Sequence, residues 1–246
     1  MKIPAGLVQK LASAESVTVS TGAGISVESG VPTFRDRQKG LWEKYNPEDL
    51  STPRAFLRNP RLVWEWYAWL RQQVAQSQPN RAHETLAQMA PLFPEFQLIT
   101  QNIDGLHQRA GSQRVIELHG NITRTKCFDE NTVVAAWKET GDVPPRCPDC
   151  GGRLRPDVVW FEEPLPEVEV ERAVQASTTC DVFISIGTSV VVYPAASLPF
   201  EALRNGATVV EINPQPTPLT EEAHFVLTGA AGIVLPELLA SLRNAL

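Results

Sequence analysis

Five times along this chain a short, apolar, β-branched run stops at a cluster of glycine and polar residues. Val17-Thr18-Val19-Ser20 runs into Thr21-Gly22-Ala23-Gly24, and Phe96-Gln97-Leu98-Ile99-Thr100 into Gln101-Asn102-Ile103-Asp104-Gly105. Val115-Ile116-Glu117-Leu118 ends at His119-Gly120. Val182-Phe183-Ile184-Ser185-Ile186 ends at Gly187-Thr188-Ser189, and Thr208-Val209-Val210-Glu211-Ile212 at Asn213-Pro214. Helical spacing fills the intervals: Leu7, Val8 and Leu11; His83, Leu86 and Met89; residues 167–177; a stretch after Pro194 to about Arg204; and Leu235, Leu238, Leu239 and Leu242. Strand and helix in alternation predict an α/β fold with a doubly wound parallel sheet. Ligands of such sheets gather outside the carboxyl ends of the strands. Gly22, Asn102, Asp104 and His119 are therefore expected around one crevice.

The first of these turns is the most suggestive. Two glycines let the backbone bend tightly and approach a ligand. A helix starting at Ala23 or Gly24 would aim its free N–H groups at a phosphate. The full dinucleotide fingerprint wants a glycine where Val27 stands, so this turn alone leaves a nucleotide and an empty turn equally open. Val158-Val159-Trp160-Phe161 also has strand character, and Phe225-Val226-Leu227 reads as a short last strand.

Two stretches break the alternation. After Asp36 the chain becomes helical and aromatic, and four of its six tryptophans lie within residues 42–69. Residues 123–158 gather Cys127, Cys147 and Cys150, four prolines and the pair Gly151-Gly152. Three crowded cysteines in a loop-rich segment suggest metal rather than disulfide, whereas Cys180, beside an apolar run, reads as core.

The net charge of −6 shows no basic stripe, which argues against a dedicated nucleic-acid binder. No run approaches the roughly 20 apolar residues of a membrane helix, and the first residues lack the apolar stretch of a signal peptide. The expectation is a soluble cytoplasmic protein, without nucleic-acid or membrane partners, and a monomer.

Taken together the motifs resemble those of the sirtuins, NAD-dependent protein-lysine deacylases. The residues carrying the resemblance are Gly22-Ala23-Gly24-Ile25-Ser26, Gly30-Val31-Pro32-Thr33-Phe34-Arg35 and Thr100-Gln101-Asn102-Ile103-Asp104-Gly105-Leu106-His107. Glu117-Leu118-His119-Gly120, Cys147-Pro148-Asp149-Cys150-Gly151-Gly152, Arg155-Pro156, Gly187-Thr188-Ser189 and Ile212-Asn213 continue it in order. The resemblance implies a Rossmann-type NAD-binding domain made of residues 1–36, 79–120 and 159–246. A small domain would come from a helical insertion, 37–78, and a zinc-binding insertion, 121–158.

It also implies the chemistry. The acyl oxygen of an acyl-lysine protein or peptide attacks the ribose carbon that bears nicotinamide, and a ribose hydroxyl then attacks the resulting imidate. His119 suits the base that deprotonates this hydroxyl, because an imidazole titrates near ~6.5. Asn102 and Asp104 would hold the ribose and the nicotinamide carboxamide, with Gln101 and Ile103 beside them. Gly22, Ala23, Gly24 and Ser26 would line the pyrophosphate turn. Phe34 would shield the reactive carbon from water, and Arg35 would reach phosphate or order the loop over NAD. Gly187, Thr188, Ser189 and Asn213 would meet phosphates and the adenine ribose. His83 and His107 are read as packing and hydrogen-bonding residues. Mono-ADP-ribosyl transfer and a catalytically quiet NAD-binding module are the alternatives.

Three positions depart from the family pattern. Zinc in sirtuins is held by two Cys-x-x-Cys pairs, but here the first reads Cys127-Phe128-Asp129-Glu130, with Glu130 in the fourth position. The open outcomes are a three-cysteine site completed by Glu130 or Asp129, a weakened site, or no metal; bound zinc is favoured. Sirtuins that remove succinyl groups carry a Tyr-x-x-Arg pair. Tyr67 fits this pair, Leu70 replaces its arginine, and Arg71 lies about 100° further around a helix. A succinyl carboxylate buried without its cation would be costly, so neutral acyl groups are expected to be preferred. Finally, Val159, Trp160 and Phe161 belong to the segment expected to pair with the substrate backbone, and Glu162 follows where the family has glycine.

Overall fold

The computed structural model describes residues 2–31, 47–138 and 140–246, without the side chains of residues 47 and 48. Phe34 and Arg35 lie outside the described residues, as do Asp36 and Trp42. Helix α1 (Ala5–Ala12) leads into β1 (Ser16–Thr21), which is followed by a 3-10 turn, Ala23–Ser29. Three helices come next: α2 (Pro47–Leu50), α3 (Pro53–Arg58) and α4 (Pro60–Gln76). The starts of α3 and α4 are written locally. Thr52 Oγ1 accepts from Ala55 N at 3.0 Å and Asn59 Oδ1 from Leu62 N at 3.1 Å, each with proline at the next position. A side-chain acceptor satisfies an orphan N–H there, while proline has none to leave unpaired. Helix α5 (Arg81–Met89) opens with a capping box between Asn80 and His83.

The alternation then resumes with β2 (Glu95–Thr100), α6 (Leu106–Arg109), β3 (Val115–Glu117), β4 (Gly120–Cys127) and β5 (Leu154–Val158). It closes with α7 (Glu167–Thr179), β6 (Val182–Ile186), α8 (Leu198–Arg204), β7 (Thr208–Asn213), β8 (Phe225–Thr228) and α9 (Ala231–Arg243). Six strands form one sheet in the order β3-β2-β1-β6-β7-β8, with every pairing parallel. The doubly wound sheet expected from the strand runs is therefore present. Chain order reverses between β1 and β6, the switch point at which such sheets open a crevice.

Each sheet face has its own core. On one face Leu7, Leu11, Leu86, Met89, Leu235 and Leu238 of α1, α5 and α9 pack on Val19, Ile184 and Val210. On the other, Ala173 of α7 and Leu198 and Ala202 of α8 cover Phe183 and Val209. Strand β6 is buried along its whole length, as its unbroken apolar run requires.

A third core lies off the sheet. Phe56, Val63, Trp66, Tyr67 and Leu70 of α3 and α4 pack with Ile122, Val158 and Trp160. A fourth, small core joins Cys127, Cys147, Val134 and Leu154, with Trp64 and Trp137 against it. Strands β4 and β5 pair antiparallel as a separate two-stranded ribbon inside what the proline-rich composition suggested was loop. Among the described residues no helix is long and apolar enough to cross a membrane.

Two local expectations need correction. The turn after β1 is 3-10 rather than α-helical, and Gly30 ends it in the left-handed region at φ 74°. The strand read at residues 158–161 stops at Val158. Beyond it Val159 N donates to His119 O, Trp160 N to Glu163 Oε2 and Phe161 N to Ser51 O. Three different partners replace one ladder, and Glu162 turns the chain at φ 72°.

Candidate active site and metal centre

The parallel register sets the site. Thr21 pairs with Thr100 and Ile186, Thr100 with Glu117, and Ile186 with Ile212. The residues just past these positions stand in a row along the carboxyl edge: Gly22, Gln101, Leu118-His119, Gly187 and Asn213. Close packing of backbone holds the middle of the row. Gly24 N donates to Gly187 O at 2.8 Å, and a Cβ on Gly24 would meet Gly187 Cα at 2.7 Å. At Gly22 a Cβ would lie 2.8 Å from Thr188 Cα. Both glycines are thus required for the approach of the β1 and β6 turns.

A buried chain of polar groups crosses this edge. Asn102 Nδ2 donates to Gly22 O and to Ser26 Oγ, both at 3.1 Å. Ser26 Oγ donates to Asp104 Oδ2 at 2.7 Å, and Asp104 Oδ1 accepts from Leu106 N at 2.9 Å. His83 Nδ1 accepts from Asn80 N, which leaves Nε2 to carry the proton toward Ser26 Oγ at 3.4 Å. Burial pushes the Asp104 carboxyl above the usual carboxylate range, against the opposing pull of Leu106 N and Ser26. Burial lowers His83 to about 4, and His107, whose ring lies 4.8 Å from that of His83, to about 3. His107 Nε2 meets Thr21 Oγ1 at 2.9 Å, and Thr21 donates to Thr100 Oγ1.

His119 lies between β3 and β4, half-buried. Its Nδ1 is 2.8 Å from Gln101 O. A carbonyl only accepts, so Nδ1 carries the proton and Nε2 offers its lone pair. Burial holds the ring below its ordinary pKa, with the Gln101 carbonyl pulling the other way. At neutral pH the ring is an uncharged base. Gly120 permits the turn: it sits at φ 78°, and a Cβ there would strike Asp157 O at 2.3 Å.

On the far side of the row, Gln101 Nε2 donates to Thr188 Oγ1 at 3.2 Å and Asn213 Nδ2 to Thr188 O at 2.8 Å. The structure thus brings Gly22, Gly24, Ser26, Gln101, Asn102, Asp104, Thr188 and Asn213 into one hydrogen-bonded neighbourhood. Ala23 and Ser189 extend it by sequence. Ile103 faces the third core, and its carbonyl accepts from Ile122 N at 2.8 Å.

Tyr67, Leu70 and Trp160 are buried together in that core. Trp160 Nε1 donates to the Tyr67 hydroxyl at 3.0 Å, which donates to Ser51 Oγ at 3.0 Å. Desolvation raises the phenol to about 12, outweighing these hydrogen bonds. Arg71 turns away, as its helical position predicts: its Nε donates to Ile122 O at 2.7 Å, and its guanidinium lies 6.0 Å over Trp64. Phe161 is exposed and borders a cavity of about 500 Å³ with Arg54, Arg58 and Glu162. Arg54 and Glu162, both lining that cavity, form an ion pair.

Sequence reasoning missed Ser51 and Arg155. Arg155 is 2% exposed, with its guanidinium 3.2 Å over the Trp160 ring and forked onto Glu163. The dipeptide Arg155-Pro156 was itself the signal, but nothing in it told which ring the arginine would cover.

In the ribbon, Cys127, Cys147 and Cys150 bring their Sγ atoms within 4.8 Å of one another. A tetrahedral zinc with Zn–S bonds of about 2.3 Å spaces its sulfurs by ~3.8 Å, so the donor set fits that metal. Glu130 meets the cluster through its backbone, N to Cys127 Sγ at 3.5 Å, and neither its carboxylate nor that of Asp129 is among the converging atoms.

Comparison with known proteins gives one answer. The model of the Sir2 family matches residues 22–194. The "NAD-dependent protein deacylase" of Aquifex aeolicus is 54% identical over 221 residues, covering 89% of this chain and 92% of that protein. A solved Sir2 homologue in complex with NAD superposes with a TM-score of 0.91 at 44% identity, over 99% of this chain and 95% of that one. A Sir2 structure with a p53 peptide and NAD+ superposes with a TM-score of 0.85 at 32% identity, over 98% of each chain.

Proposed function

The chain belongs to the Sir2 family, and from that premise we propose how this NAD-dependent protein deacylase works and which acyl groups it removes. NAD is its co-substrate, and acyl-lysine proteins or peptides are its partners. The finer statements are our reading: nicotinamide and O-acyl-ADP-ribose as products, and acetyl or longer neutral acyl groups preferred over succinyl.

The observation that carries the mechanism is the bond between His119 and Gln101 O. It leaves Nε2 of a neutral ring free to take a proton from a ribose hydroxyl. When bound, NAD supplies a sugar carbon whose nicotinamide can be displaced by the acyl oxygen. Gln101, Asn102, Asp104, Thr188 and Asn213 supply the donors and acceptors such a sugar and carboxamide require. Phe34 and Arg35, outside the described residues, keep their proposed roles as water shield and phosphate contact. The large domain then comprises 1–36, 79–120 and 159–246, with 37–78 and 121–158 as the small one. The third core, shared by α3, α4 and the ribbon, supports grouping the two insertions.

The acyl preference rests on Tyr67 and Leu70. The Tyr67 hydroxyl already serves Trp160 and Ser51, and Arg71 is held on backbone carbonyls. No cation among these residues is left for a carboxylate, and an unpaired buried charge is expensive. The test is incubation with NAD and one peptide carrying acetyl, butyryl or succinyl, read by mass spectrometry. Acyl-dependent release of nicotinamide with transfer of the acyl group to ADP-ribose is expected. Labelling of a protein with ADP-ribose would point to transferase activity instead, and no turnover to a quiet NAD-binding module.

A further inference from the structure

Three thiolates leave a tetrahedral zinc site one ligand short, and the chain has a carboxylate where the fourth cysteine would stand. We propose that Asp129, not Glu130, completes this site, making it a three-cysteine, one-aspartate centre. The inference rests on the reading that the cysteine cluster takes zinc.

The argument begins with Gly152. A Cβ at that position would lie 2.2 Å from Asp129 Oδ2 and 3.2 Å from Cys150 Sγ. The Asp129 carboxylate therefore occupies the space left by the missing side chain, on the same side of the ribbon as the Cys150 thiol. Any larger residue at 152 would expel it. Gly152 also contributes backbone: its N donates to Cys150 Sγ at 3.4 Å, and its O accepts from Cys147 N at 2.7 Å. One glycine thus seats the carboxylate and holds two of the sulfurs' residues in place.

Glu130 has a different task. Its N–H donates to Cys127 Sγ, the contact by which a knuckle of backbone steadies a thiolate. That contact holds the Glu130 backbone beside Cys127. The Asp129 carboxylate is instead seated at Gly152, beside Cys150, and from there its ligation completes the site. A carboxylate oxygen is an accepted zinc ligand at about 2.0–2.2 Å. Its charge also equals that of the thiolate it replaces, so the site keeps the overall charge of a four-cysteine centre.

The experiment uses the full chain, purified with zinc. Metal content is measured by elemental analysis, zinc affinity by competition with a chromophoric chelator, and coordination by the absorption of the cobalt(II)-substituted protein. Wild type should hold one zinc per chain. Glu130→Ala should keep that stoichiometry, its affinity within about threefold and its cobalt spectrum. Asp129→Ala should weaken zinc at least about tenfold and change the cobalt bands. Asp129→Asn, close in size, should weaken it in the same direction if the variant with alanine fails to fold. Asp129→Cys should recover the affinity and add one thiolate's charge-transfer intensity. Unchanged zinc affinity in both Asp129 variants, or loss in Glu130→Ala, overturns the assignment while leaving a zinc site. A wild-type chain without stoichiometric metal overturns the zinc reading as well, and neither result bears on deacylation.

Discussion

The Nδ1 atom of His119 is 2.8 Å from the carbonyl oxygen of Gln101, the residue that follows the last position of β2. One backbone acceptor therefore chooses the tautomer of the proposed base, and the register of β2 with β3 delivers it. Removing the ring removes the base and little else. His119→Ala is expected to lower deacylation by about 10²–10⁴-fold while NAD affinity changes by only a few-fold. Turnover and NAD titration on the same preparation check this; a variant that retains most of its turnover rules His119 out as the base.

The pH profile should carry the signature of that ring. Burial lowers the His119 pKa below its ordinary value, so the neutral form persists to more acid pH than for a free histidine. The acid limb of kcat/KM should have its midpoint below about pH 6.5. A limb whose midpoint lies above this value contradicts the assignment.

Stability should respond to acid through His83 and His107. Their folded values, about 4 and about 3, lie below the ordinary value near 6.5. Between these limits the unfolded chain binds the protons, so stability is fully present above about pH 6.5 and declines as pH falls. Each ring contributes a slope of about 1.4 kcal/mol per pH unit inside its window. Asp104, with its raised pKa, acts in the opposite sense. Urea midpoints at pH 7.5, 6 and 5 test the decline, and His107→Asn should flatten it; equal slopes in the variant and wild type would reject the attribution to this ring.

The acyl wall gives a gain-of-function test. Leu70→Arg restores a cation one turn from Tyr67 and is expected to raise the succinyl-to-acetyl rate ratio about tenfold or more, the worth of a charge-assisted bond of about 1.5–3 kcal/mol. Tyr67→Phe should instead cost about 1–3 kcal/mol of stability, because Trp160 Nε1 loses its acceptor in a buried site. Rates on the two acyl-peptides and thermal melts read these outcomes; an unchanged ratio in Leu70→Arg would remove Leu70 from the specificity argument.

Much of the frame was legible from residues alone. Strands β1, β2, β6 and β7 are apolar and β-branched and stop at glycine or polar clusters, so type and boundary are marked together. The row of Gly22, Gln101, His119, Gly187 and Asn213 follows from parallel pairing once the strand ends are known. What stayed hidden depends on long-range packing. Strands β4 and β5 sit among prolines and charged residues, and their pairing stands out only once the cysteines draw the hairpin together. Val159 to Phe161 looked like strand because their side chains suit one, yet their N–H groups find a loop, a carboxylate and a serine carbonyl. Arg155 reads as a surface residue by type; only the fold puts Trp160 under its guanidinium and Glu163 across from it.

Strand β5 has one end in each of two cores: Leu154 packs beside Cys127 and Cys147, and Val158 beside Tyr67 and Trp160. Five residues of extended chain make a stiff strut of roughly 13 Å from first to last Cα. Slack at the cysteine end is transmitted to the wall against which an acyl chain must fit. Stripping the metal should accordingly blur the enzyme's choice among acyl groups before it slows the proton transfer at His119.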